Sequence, residues 1–346
     1  MPFIHVIIPC YNAEKYLEQA VYSVLDQPYK EIDVVLVDDG SPGETPRICD
    51  DLAEKEPRVR VIHKPNGGVS SARNVGINAV LERCGDDQTG HYIAFLDADD
   101  VWLEDFFHDR VLELLSRGID MIGFQSLICS ESLDPVGKAQ ELASGLHQGG
   151  CQALELYQGT FAAIFYSCKL FSRFRIRFDE ALRYTEDKIF ALECQYVADT
   201  IWLENRVLYL YRRQASSAIG RRAYGVKYFE PIIDGYLRMD REMACWNTPE
   251  RGELRKGREM ASIYHMDMVN EHIQNWLSIK DVDDYFRRHP EHMDLLLAKA
   301  PYEWIFVNGA YRSYCEHPHL YILKHRLLGV ALFLRRKAVS VIRRFL

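Results

Sequence analysis

The sequence predicts an α/β fold, a mostly parallel sheet flanked by helices, followed by a helical C-terminal region. Three observations carry this. Through the first hundred residues, short apolar runs rich in β-branched residues alternate with segments of helical periodicity, the pattern of parallel strands buried on both faces. Acidic and polar clusters recur where those runs end, and in such sheets ligands bind beyond the carboxyl ends of the strands. From Gly225 onward strand patterns fade, and helical segments broken at Pro249, Pro290, Pro301 and Pro318 take over.

Taken in order, residues 3–9 read as a strand. Residues 13–25 read as a helix with Tyr16, Leu17, Ala20, Val21, Val24 and Leu25 on one face. A near-continuous apolar strand covers 32–37, a helix 45–55, a strand 58–62, a helix 69–83 and a strand 92–96. A helix over 104–115 leads to a strand over 119–125, and the polar span 130–150 reads as a loop. A helix over 186–197 and two strands, 201–203 and 207–211, complete a first domain, expected at 1–217. Residues 218–346 form the helical region.

The chain of 346 residues has 48% hydrophobic and 27% charged residues, a soluble composition with ample core. Its net charge of −8 argues against nucleic acid as a partner. From His317 to the end there are seven Lys or Arg and no acid, leaving about −15 on the first 316 residues. Leu327, Ala331, Leu334, Ala338, Val341 and Phe345 recur there at helical spacing, and most basic residues fall away from that stripe. A basic amphipathic helix of this kind suits peripheral contact with the inner face of the cell membrane. A helix packed on the protein with a solvated basic side is the plainer alternative. The nine cysteines are scattered with no Cys-x-x-Cys unit, and the histidines show no ligand spacing, which gives no support to a zinc site. Reduced thiols, no leader sequence and no apolar run of membrane-spanning length together point to the cytoplasm.

Four clusters carry chemistry. Asp97-Ala98-Asp99-Asp100 follows the strand at 92–96, and three acids so close together are easiest to tolerate around a cation. Their hard oxygens suit Mg²⁺ or Mn²⁺, the former usually shared with substrate phosphates. Asp38-Asp39-Gly40-Ser41 follows the strand at 32–37 and could accept from a base or ribose hydroxyl. Asn66-Gly67-Gly68 leads through Val69, Ser70 and Ser71 to Ala72-Arg73-Asn74. It offers a backbone that a ligand can approach, a helix N-terminus for an anion, and an arginine for phosphate or base. Thr185-Glu186-Asp187 opens an apolar helix and could supply a general base. Each has a simpler reading: a turn for the first two, a loop with Ser70 as a helix cap for the third, dipole-compensating acids for the fourth.

Their order separates these readings. With Pro9-Cys10-Tyr11-Asn12 ahead of them, the clusters resemble the motifs of the family 2 glycosyltransferases, inverting enzymes of the GT-A fold that include bacterial surface-polysaccharide enzymes. The resemblance covers about residues 3–212. It implies a nucleotide diphosphate sugar as donor, UDP-linked by expectation. Asp39, helped by Asp38, would hold uracil, and Pro9, Tyr11 and Asn12 would line the nucleoside pocket. Arg73 would lie near uracil or diphosphate, Asp99 with Asp97 would bind Mn²⁺ or Mg²⁺ on the diphosphate, and Asp187 would be the catalytic base. The Gln-x-x-Arg-Trp motif and membrane helices of processive members are not seen, which implies transfer of a single sugar. The acceptor would be a glycan hydroxyl, lipid-linked if the basic helix meets a membrane. Arg212 and Arg213 either reach the diphosphate or form a surface charge pair. Two other functions remain open, a sugar nucleotidyltransferase and a non-catalytic nucleotide-sugar-binding protein, as does pairing into a homodimer.

Overall fold

The first half of the sheet follows the alternation in the sequence. The computed structural model describes residues 1–290 apart from 105, 108, 156–160, 214–224, 252–255 and 275–278. In it β1 (Phe3–Cys10), α1 (Leu17–Leu25), β2 (Ile32–Asp38), α2 (Thr45–Lys55), β3 (Val59–His63), α3 (Val69–Cys84) and β4 (His91–Phe95) succeed one another. β1 lies between β2 and β4, with β3 outside β2, all parallel. Burial on both faces explains the unbroken apolar run of β2, in which all seven residues are buried. α1 starts later than its periodicity suggests, because the amides of Tyr16 and Leu17 both turn back to the Ala13 carbonyl.

The second half departs from a parallel arrangement. β5 (Val101–Trp102), α4 (Asp109–Ser116), β6 (Met121–Cys129), β7 (Gly145–Gln148), β8 (Ile164–Ser167), α5 (Cys168–Phe174), α6 (Glu186–Val197) and β9 (Thr200–Arg212) complete the αβ part. The sheet runs β3-β2-β1-β4-β8-β6-β9-β5, with β7 also on β9. β8 enters antiparallel between β4 and β6, and β5 and β7 are antiparallel to β9, so the sheet is parallel at one end and mixed at the other. α4 is shorter than the helix expected over 104–115, because the Phe106 amide is taken by the Gln27 side chain at 3.0 Å. The two strands expected over 201–211 are one strand of 13 residues, and register shifts opposite Phe124–Ser126 absorb the polar break at Asn205 and Arg206. The span 130–150 is not wholly loop, since β7 pairs with β9 and Asn205 exchanges hydrogen bonds with Leu142.

Two compact units divide the chain. One comprises Met1–Arg221 and Glu242–Leu254, the other Arg222–Arg241 and the chain from Arg255 onward. The boundary expected at 217/218 and the basic helix expected after His317 lie outside the described residues. The second unit contains α7 (Val226–Cys245, which ends in the first unit), α8 (Lys256–Gln274) and α9 (Ile279–Arg288), with Tyr285 and Phe286 against His265. No described helix is long and apolar enough to cross a membrane.

Asp38, last in β2, is buried and accepts from the Ser41 amide at 3.1 Å and His63 Nδ1 at 3.0 Å, while His63 Nε2 reaches Asp50 at 3.0 Å. Hydrogen bonds to Asp38 and then Asp50 hold His63 above its ordinary pKa. Burial alone would raise Asp38, but the bonds from His63 and Ser41 outweigh it and hold the carboxyl low. The His63 contribution to stability is therefore full below about pH 6.5 and fades as pH rises through the elevated folded value. We predict that His63→Gln melts lower than wild type at pH 6, by a margin that shrinks toward pH 9. A margin independent of pH would show that His63 is not charged in this pair.

Candidate active site

A cavity of about 830 Å³ opens beyond the carboxyl ends of the first parallel strands. Pro9, Tyr11 and Asn12 from the end of β1, Asp39 beyond β2, Arg73 of α3, and Asp97 and Asp99 beyond β4 all line it. Pro9 is accommodated because β4 stops pairing at Phe95, opposite Ile7, so no partner strand asks for its missing N–H. Asn12 holds a left-handed backbone, φ 50°, that turns the chain out of the sheet, and its amide is bound by Ser41 Oγ at 3.3 Å. Tyr11 is 52% exposed, an aromatic face left open at the cavity.

Asp39 does more than line the cavity. Its carboxylate accepts from the Gly67 and Gly68 amides at 2.9 and 2.8 Å and pairs with Lys64, while its carbonyl accepts from Asn66 Nδ2 at 2.9 Å. The glycine loop thus wraps an acid of the protein itself, and those two amides are not left for a ligand phosphate. Gly40, φ +68°, lets the loop come so near that an added Cβ would meet Asn66 N at 2.7 Å. Ser70 is not the cap of α3: Gly68 holds that place, and Ser70 is buried inside the first turn. Asp38 is not among the lining residues. It faces away from Asp39, as successive residues at a strand end do, and its carboxylate serves Ser41 and His63.

Arg73 is 4% exposed and links the cavity to the helix that bears the expected base. Its guanidinium bonds Asp97 at 2.8 Å and Glu186 at 3.4 Å, and lies over the rings of Phe161 at 4.5 Å and Phe178 at 5.1 Å. Those rings belong to a cluster in which Phe178 stacks on Phe190 at 3.8 Å and Phe95 meets both edge-on. The aromatic core thereby fixes a charge that would otherwise be mobile. Glu186 is raised by burial and by Asp187 beside it, with Arg73 opposing. Asp187, in the first turn of α6, is part-exposed and accepts the Lys188 amide at 2.7 Å. It is not a lining residue of the cavity, but its charge bears on both Arg73 and Glu186. Thr185 precedes it with a left-handed φ of 64°, a strained placement for a β-branched residue.

The acid loop is braced from behind. Asp100 is 1% exposed and accepts from Tyr209 Oη and the Arg212 amide, each at 2.6 Å. The same hydroxyl accepts the Asp97 amide at 3.2 Å, and Arg212 Nε donates to the Asp99 carbonyl at 2.6 Å. Burial, then Asp97 and Asp99, push the Asp100 carboxyl up to about 8. Asp97 and Asp99 thus bring to the cavity two hard carboxylates in a field that favours added positive charge, a donor set that fits Mg²⁺ or Mn²⁺. Arg212 is neither a surface pair nor a lining residue. It is buried, its guanidinium lies 4.2 Å from the Tyr16 ring centroid, and it donates to Gln19 at 2.7 Å. Tyr209, Lys64 and Lys15, the last also lining the cavity, carry no signal in the sequence because no short motif contains them. Tyr209→Phe should cost about 1–3 kcal/mol, since two buried groups lose a partner. Chemical denaturation would read this, and a variant as stable as wild type would show that the loop does not depend on the hydroxyl.

An α/β sheet with this cavity and acid loop defines the GT-A architecture of nucleotide-sugar enzymes. The chain belongs to glycosyl transferase family 2, whose family model matches residues 5–177. It is 31% identical over 225 residues to the uncharacterized glycosyltransferase EpsJ of Bacillus subtilis, covering 63% of each chain. It is 27% identical over 250 residues to the minor teichoic acid biosynthesis protein GgaA of the same organism, covering 66% of this chain and 52% of that protein. The chain therefore spans between 52% and 63% of the length of these curated relatives. Its fold is similar to S. aureus TarS 1–349 in complex with UDP-GlcNAc, with TM-score 0.60 and 17% identity over 96% of this chain and 92% of that one.

Proposed function

We propose that the protein is an inverting glycosyltransferase that moves one sugar from a UDP-sugar to a hydroxyl of a glycan acceptor in surface-polysaccharide synthesis. The observation that carries this is the convergence on one cavity of Pro9, Tyr11, Asn12, Asp39, Arg73, Asp97 and Asp99. Tyr11 offers its open ring to a base. Asp39, with the loop it holds, forms the wall against which uracil would sit. A divalent cation on Asp99 and Asp97 would neutralise charge developing on the departing diphosphate.

The remaining chemistry belongs to the chain. Asp187 takes the proton of the acceptor hydroxyl, and that oxygen bonds to the anomeric carbon. The carbon–oxygen bond to the diphosphate breaks on the opposite face, UDP leaves with the electron pair, and the anomeric centre inverts. Arg73 holds Asp97 and Glu186 in place and keeps Asp187 one residue from an anchored position. The basic stretch after His317 would bring the enzyme to an anionic membrane surface, which fits a lipid-linked acceptor.

A panel of nucleotide sugars with Mn²⁺, read by thermal shift and by nucleotide release, tests the reading. UDP-sugars should stabilise the protein and release UDP slowly to water and faster with acceptor, and Asp99→Asn should lose the metal-dependent part. A preference for ADP- or CMP-sugars would overturn the uridine assignment. Donor binding without any release across acceptors would favour a non-catalytic binding protein.

A further inference from the structure

At the end of the sheet opposite the cavity, three residues from different elements meet, His5 of β1, Cys84 at the end of α3 and His91 at the start of β4, with Cys168 at the start of α5 beside Cys84. No ligand spacing announces them, yet the ligating atoms of His5, Cys84 and His91 all lie within 4.8 Å of one another. His5 is buried and its Nδ1 is 2.7 Å from Asp33 Oδ1. A carboxylate only accepts, so Nδ1 carries the hydrogen and the Nε2 lone pair faces inward. That Nε2 is 3.0 Å from His91 Nδ1 and 3.6 Å from Cys84 Sγ. The two imidazoles stack, with centroids 5.3 Å apart and planes at 10°. Buried Cys168 neighbours Cys84 but stands outside the group of three whose ligating atoms all lie within 4.8 Å of one another. Asp33 is itself anchored by Arg83 at 2.9 Å.

We propose that His5, Cys84 and His91, with Cys168 as fourth donor, form a binding site for Zn²⁺ or a similar borderline-soft metal, distinct from the carboxylate site in the cavity. Tetrahedral bonds of about 2.0–2.1 Å to nitrogen and about 2.3 Å to sulfur place donor atoms roughly 3.3–3.8 Å apart, so the 3.0 and 3.6 Å spacings from His5 Nε2 to His91 and Cys84 need only small adjustment, while Cys168 would close in to complete the set. Two sulfurs and two imidazoles select against Mg²⁺ and Mn²⁺, which the cavity acids prefer. Asp33 on the outer nitrogen of His5 supplies the carboxylate–histidine support that orients metal-bound imidazoles. His91 and Cys84 are partly exposed, which gives an entry path, and binding would displace the two thiol protons. With every donor on a different element, the metal would fasten α3 and α5 to β1 and β4.

The test uses the full chain under reducing conditions with excess Mg²⁺ to fill the carboxylate site, titrated with Co²⁺ and then Zn²⁺. Expected are a sulfur-to-cobalt charge-transfer band and tetrahedral visible bands, one Co²⁺ per chain, displaced by Zn²⁺ with a rise in melting temperature. Cys84→Ser should at least halve the charge-transfer band, Cys84→Ser with Cys168→Ser should abolish it, and His91→Gln should weaken Co²⁺ binding. Asp33→Asn should keep the band with affinity about 10–100-fold weaker, and Asp99→Asn should leave it unchanged. Absence of the band in wild type would overturn the proposal without recourse to a variant. So would its persistence in Cys84→Ser with Cys168→Ser, or a chain isolated two hydrogens lighter with both thiols joined in a disulfide that resists reduction.

Discussion

Asp187→Asn is expected to bind UDP-sugar as wild type does and to lose about 10²–10⁴-fold in kcat, the range for removal of a general base. The substitution keeps shape and hydrogen-bonding capacity and removes only the ability to take a proton. Asp187 is the better candidate of the acidic pair for a physical reason. Glu186 is committed to Arg73, and a carboxylate held in a buried ion pair gives up its partner when it takes a proton. Asp187 is part-exposed and lies in the first turn of a helix whose N-terminus favours its charge. Donor affinity and turnover must be measured separately, because a folding defect would depress both. Near-normal turnover in Asp187→Asn, with a large loss in Glu186→Gln, would transfer the role to Glu186.

Arg73→Ala is expected to be among the most destabilising single changes in the αβ unit, about 3–5 kcal/mol, as for breaking a buried ion pair from one side. It strands Asp97 and Glu186 and empties a site lined by Phe161 and Phe178. Arg73→Lys keeps the charge but not the fork that spans both acids, and it should recover only part of the loss. Chemical denaturation of the two variants would separate these contributions. If Arg73→Ala unfolded like wild type, Asp97 and Glu186 would have to find other partners, and the link between the acid loop and α6 would be wrong.

The parallel half of the fold was legible because β1, β2 and β4 are buried on both faces, and β2 shows this in every residue. The mixed half was not. Which strand lies beside which is set by packing between distant segments, and nothing in Ile164–Ser167 says that it will enter between β4 and β6 in reverse. The candidate site residues at the ends of parallel strands share one cavity because topology alone brings strand ends together. Asp38 stands outside the cavity, since which of two adjacent acids faces it depends on the last residue that still belongs to the strand. Arg212 could be placed only after β9 was seen to pair with β5 and return beside the acid loop. The histidine and cysteine cluster was invisible for a related reason: its members stand at positions 5, 84, 91 and 168, one from each of four elements.

The bracing of residues 97–100 has a consequence for how the protein could diversify. Their backbone is bound at Asp97 and Asp99, and the Asp100 carboxylate is held, by two residues of β9, and Val101 pairs with Leu210 directly after. The loop is therefore ordered on folding, and the proposed cation and diphosphate would meet groups that need no rearrangement, so little binding energy would be lost to ordering them. On the proposed reading, segments outside it could change length and chemistry while the nucleotide end stays fixed, so one scaffold could be retargeted to new sugars without rebuilding its grip on the leaving group.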